Sequence, residues 1–204
     1  MKETIEVVQK NFDETFRLLH DWATKNNITL DDLRNSMDEA EIKRREKNRR
    51  NARTNETSKI AFDYRQNVID FFRKNKLLID SYIQSAKSQT AIEKSNELTY
   101  SIDTINWYLT LLPAKITRAY VGLFELNLEY SDPIQNDYNG SAKVVLISVE
   151  NSFPAWEIIL KHLPELEDDC WKFLVMLDKI RKRILVDFPY AIEFVRPGFD
   201  QVSC

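Results

Sequence analysis

The chain has 204 residues, 43% of them hydrophobic and 11% aromatic, enough to bury a sizeable core. Its formal net charge is only −3, so the molecule as a whole presents no field that draws nucleic acid or an anionic membrane. Its three glycines, Gly122, Gly140 and Gly198, lie too far apart for a phosphate-cradling loop or a dinucleotide fingerprint.

Helical periodicity starts at once: Ile5, Val8, Phe12, Phe16, Leu19 and Trp22 recur at three- and four-residue steps. The opening residues hold no apolar secretory core, and no aliphatic run is long enough to cross a bilayer. A cytoplasmic, membrane-free setting is therefore expected. Thr29 is placed to cap a short helix from Leu30.

Residues 38–58 offer almost nothing to bury beyond Ile42, which predicts a solvated protruding helix or a connector. Within them, 43–53 holds seven basic residues and one acidic. Arg44, Arg45, Lys47, Arg49, Arg50 and Arg53 are candidates for phosphate-backbone contact with nucleic acid. No aromatic is interleaved to stack a base, and Glu39–Lys43 and Glu41–Arg45 are favourable four-residue pairs, so a self-paired solvated arm is favoured over a nucleic-acid site.

From about Ile60, Ala61, Tyr64, Val68, Phe71, Leu78 and Tyr82 share one helical face. Leu98, Ile102, Ile105, Leu109, Leu112 and Ile116 then step 4-3-4-3-4, a heptad seam that continues through Tyr120 and Leu123. Pro113 lies inside it without changing its phase, which predicts one long helix, kinked there. The next helix is expected from Ser141 to Leu163, with Val145, Val149, Phe153, Trp156 and Leu160 inward. Pro164 opens the last long helix, whose seam runs Leu166, Cys170, Phe173, Leu177, Ile180 and Ile184. No segment alternates with period two.

The sequence therefore predicts an all-α chain: a single domain over 1–204, an up-and-down bundle of about four long helices plus short ones, with 38–58 as its charged arm.

Chemistry is sparse. The two histidines, His20 and His162, have Arg17 and Ile159 three positions earlier, so the Glu-x-x-His pairs of carboxylate-bridged di-iron bundles are missing. Both are expected to be structural, and Cys170, on a seam, is expected to act as a small hydrophobe. The polar stretch "DPIQNDYNGSAK" cannot be an EF-hand, because Leu146 stands where the closing glutamate is needed. Asp132 and Asp137 are weak candidates for an irregular oxygen-ligand site.

Asp132-Pro133 and Asn139-Gly140 are turn pairs, and Ser141 is a plausible cap for the helix that follows. Beside that turn-and-cap reading stands a small-anion site at Asn139, Gly140, Ser141 and Lys143, where free N–H groups meet a lysine. The C-terminal "RPGFD" would complete it if Arg196 folds back. No cofactor is implied. The functional expectation is a non-catalytic helical bundle that binds an unknown macromolecule or itself, with its abundant aromatics, including Tyr64, Tyr108, Tyr120, Tyr138 and Tyr190 and some of them exposed, supplying contact area. Nucleic-acid association through 43–53 stands second. An anion- or metal-dependent enzyme at 132–143 stands third.

Overall fold

The apolar seams become helices with little interruption. A computed structural model describes residues 2–26, 29, 39–125, 132–196 and 198–200, with side chains of the first helix described from Glu14 onward. The fold is all-α, with no strand among the described residues. In order the helices are α1 (Lys2–Lys25), α2 (Glu39–Thr54), α3 (Glu56–Lys74), α4 (Lys76–Gln84), α5 (Gln89–Phe124), α6 (Asp137–His162) and α7 (Glu167–Asp187). A 3₁₀ turn, Pro164–Leu166, leads into α7. The short helix expected from Leu30 falls outside the described residues. Among the described residues no helix is long and apolar enough to cross a membrane.

Contacts divide the chain into two units, Met1–Glu46 and Lys47–Cys204. The first contains α1. In the second, α3 packs on α5 and α7, and α6 packs on α5 and α7. The pairs Glu97–His162 and Arg118–Asp137 run α5 and α6 antiparallel, while Glu56–Arg183 and Asn67–Lys172 do the same for α3 and α7.

An aromatic knot fixes the middle of this bundle. Trp156 is fully buried, with the rings of Phe71, Phe72 and Phe173 between 4.6 and 6.0 Å from its own. Its Nε1–H donates to the Tyr64 hydroxyl at 2.9 Å, so both polar handles are satisfied inside the core. Burial pushes the Tyr64 phenol pKa well above its usual range.

Most of the long seam behaves as read: Leu98, Ile105, Leu109, Leu112, Ile116 and Tyr120 are buried, Ile102 and Leu123 are half-buried against the core, and α5 passes Pro113 unbroken. The face spanning 60–82 does not hold throughout. Asn75 separates α3 from α4 with φ −98° and ψ 9°, and the break shifts the phase, so Ile79 is buried where Leu78 was expected. The charged arm is also shorter than 38–58. Ala52, Thr57 and Ser58 are buried, and Asn55 caps α3 by accepting from Ser58 N–H at 2.8 Å. Phe173→Ala removes one ring of the knot; a loss of about 3–5 kcal/mol is expected in urea unfolding, the usual cost of a large cavity in a tight core.

Candidate functional site

The segment nominated by sequence, 132–143, is built by its own side chains. Asp132 Oδ1 accepts from Ile134 N–H at 2.8 Å and Gln135 N–H at 2.9 Å, and these bonds hold its pKa below the usual carboxylate range. Helix α6 then begins at Asp137, one turn earlier than expected. Its cap is Asn136, whose Oδ1 accepts from Asn139 N–H at 2.9 Å, and not Ser141. Asn139 and Gly140 are helical too. Among the described glycines only Gly198 has a positive φ, +79°. Gly140 is required for space instead: a Cβ there would lie 2.8 Å from Cζ of Phe194.

The C-terminal segment does fold back. Gln135 grips the Val195 backbone in both directions, donating from Nε2 to its carbonyl at 3.0 Å and accepting its N–H at 2.8 Å. Lys143 Nζ donates to the carbonyls of Ile192 and Phe194 and pairs with Asp200 at 2.8 Å. Asp200 also takes the Arg196 guanidinium at 2.6 Å, and Arg196 lies over the Phe199 ring, 5.6 Å from its centroid. Arg196 first, then Lys143, hold the Asp200 pKa far below the usual carboxylate range.

This geometry does not assemble the anion cradle expected at Asn139, Gly140, Ser141 and Lys143. The N–H groups of Asn139 and Gly140 in the first turn are taken by Asn136, Ser141 and Lys143 lie further into α6, and the lysine is a clasp for the C-terminal strap. The oxygen ligands imagined at Asp132 and Asp137 are committed as well, since Asp137 takes Arg118 in a two-pronged bond of 2.8 Å each. No group of three or more metal-ligating side chains occurs among the described residues.

The histidines follow the structural expectation at His162 and diverge at His20. His162 is buried between Tyr82, 3.0 Å from Nδ1, and Glu97, 2.7 Å from Nε2. A carboxylate only accepts, so Nε2–H donates to Glu97, while Nδ1 shares a hydrogen bond with the Tyr82 hydroxyl. The His162 bond holds the Glu97 pKa low, Lys161 adding to the effect. His20 is exposed on α1. Cys170 is fully buried and its thiol is pushed up to about 12 by desolvation, which makes it inert.

The basic run forms the middle and end of α2. Lys43 and Arg45 are paired with Glu39 and Glu41 at 2.7 Å, as the four-residue spacing predicts. Arg44, Lys47, Arg49, Arg50 and Arg53 are exposed and make no ion pair with a described residue.

A further feature escaped the sequence reading. Tyr100 and Trp107 on α5 are 75% and 71% exposed. With Asp103, Thr104, Tyr108 and Asn151 they line an open groove of about 280 Å³. The signal was available. Both aromatics sit two positions off the Leu98–Ile105 seam and seven residues apart, which puts them on one outward stripe. Tyr64 and Tyr120 are buried, as their seam positions predict; Tyr120 donates to Asp187 and lies 2.9 Å from the Thr57 hydroxyl. Tyr190 is exposed, and Tyr108 and Tyr138 are half-buried.

No protein-family model matches the sequence, and no match was found among curated proteins or among solved structures.

Asp200→Asn tests the clasp. A carboxylate whose folded pKa is depressed contributes stability above its unfolded value near 3.9 and loses it as pH falls toward the folded value. The stability difference between wild type and Asp200→Asn is therefore expected to be constant from neutral pH down to about 5 and to shrink below about 4, read by urea unfolding across pH.

Proposed function

We propose that this chain is a cytoplasmic, non-catalytic helical-bundle protein that acts by binding a macromolecular partner or by self-association. One observation carries the reading: two large aromatics, Tyr100 and Trp107, stand in solvent on the outer stripe of the bundle's longest helix, with a groove between them. Tyrosine and tryptophan supply contact area at small entropic cost and dominate interface energetics. The α1 helix adds to this, since Leu18, Leu19 and Trp22 are each more than half exposed along its length. The polar clusters around Lys143 and His162 act as tethers within the bundle.

Replacing both Tyr100 and Trp107 by serine is expected to leave the melting temperature nearly unchanged, because exposed substitutions usually shift stability by no more than about 0.5 kcal/mol. The same change is expected to abolish self-association or partner retention, read by light scattering on the full chain and by affinity capture. A wild-type chain that stays monomeric and retains no macromolecule would sink the reading.

A second reading rests on α2. Its five exposed cations without ion-pair partners among the described residues suit non-specific contact with a phosphate backbone. Filter binding should then show RNA or DNA retention that falls steeply with salt and disappears in Arg49→Glu/Arg50→Glu/Arg53→Glu. Retention that ignores salt, or none at all, removes it.

A further inference from the structure

We propose that the Tyr100–Trp107 groove receives an arginine from the basic helix α2 of a second copy of this chain, joining copies head to tail. The proposal rests on the self-association half of the functional reading and names its surfaces.

The groove has the parts of an arginine site. Asp103 lies three residues after Tyr100 and four before Trp107, so the carboxylate stands between the two rings on one helical face. It makes no ion pair with a described residue, and no cation lines the groove. A guanidinium is flat, stacks on an indole or phenol face, and presents a fork that a carboxylate accepts. The chain already builds this combination once, internally. There Arg196 lies 5.6 Å from the Phe199 ring centroid while its guanidinium meets Asp200 at 2.6 Å. The α5 groove repeats the aromatic and the carboxylate and lacks the arginine.

The missing partner is on the same chain and out of its own reach. Lys47, Arg49, Arg50 and Arg53 are exposed cations on α2. Asn48, among them, donates to the Phe124 carbonyl at 3.3 Å, which sets this part of α2 at the C-terminal end of α5. Trp107 is seventeen residues before Phe124, roughly 25 Å along the helix, and Tyr100 is further still. An arginine side chain does not span that gap, so the contact forms between molecules. Because groove and cations are different surfaces, one contact leaves each copy with a free groove or a free basic helix, and growth continues until those surfaces pair or a ring closes.

Sedimentation of the full chain tests this. Wild type is expected to form species that grow with concentration and dissociate as salt rises. Trp107→Ala is expected to weaken association about tenfold, since the cation–π contact and the covered indole area are lost together. Arg49→Glu/Arg50→Glu/Arg53→Glu is expected to weaken it as much. The decisive arm mixes these two variants. One keeps the basic helix and the other keeps the groove, so together they form a one-to-one dimer that cannot grow. Asp103→Lys provides a second groove variant, and circular dichroism checks that each chain folds. A mixture that stays monomeric overturns the proposal. Wild-type association indifferent to Trp107 and Asp103 also overturns it while leaving the broader binding reading intact. A wild-type monomer that retains another macromolecule does the same; one that retains none overturns both.

Discussion

The hydrogen bond from Trp156 Nε1 to the Tyr64 hydroxyl is the constraint on which the rest of the bundle depends. Apolar burial alone is indifferent to small rotations of a helix about its axis, because neighbouring ridges offer similar area. A buried donor and acceptor are not indifferent, since either one left unpaired costs about 1–3 kcal/mol. The bond sets the rotation of α6 against α3, and the edge-on ring of Phe71 and the tilted ring of Phe173 beside Trp156 set its height. With α6 fixed there, Lys143 lies thirteen residues toward one end, roughly 20 Å away, and His162 six residues toward the other, roughly 9 Å.

At each end the same helix meets a polar tether. His162 is held between α4 and α5 through Tyr82 and Glu97. Lys143 gathers two carbonyls and a carboxylate of the C-terminal strap. Such arrangements resemble catalytic or ligand sites in composition, and their function is told by what their atoms are already bonded to. His162 has both ring nitrogens engaged, Asp200 has two cations, and Lys143 has three oxygens. What stays unengaged on the described surface is of another kind: aromatic rings and arginines standing in water.

Much of this was legible in the sequence, and the reasons differ by element. The seam of α5 could be read through Pro113 because a heptad repeat over several turns averages out one broken hydrogen bond. The face of 60–82 failed because a single residue, Asn75, resets the phase, and no periodicity reports a break that keeps apolar residues on both sides. The start of α6 was missed because Asn139-Gly140 carries the signature of a turn, while its real constraint is the Phe194 ring, more than fifty residues away. Long-range contacts of that sort decide which glycine is there for φ and which for space. The burial of Tyr64 and Tyr120 was legible from their seam positions, whereas the partners of their hydroxyls, Trp156 and Asp187, lie too far away in sequence to be read.

The net charge of −3 conceals a separation that bears on how copies or partners meet. Residues 43–53 carry +6, which leaves −9 on the remainder of the chain. A molecule with a run of cations on one helix and a net acidic remainder has an orientation to its field although its total is small. Two such molecules attract where the basic run of one meets the acidic remainder of the other, so encounter favours unlike surfaces. Screening over roughly 8 Å at physiological salt confines that preference to close approach, where the aromatic groove adds what charge alone cannot: a shape that one flat cation fits.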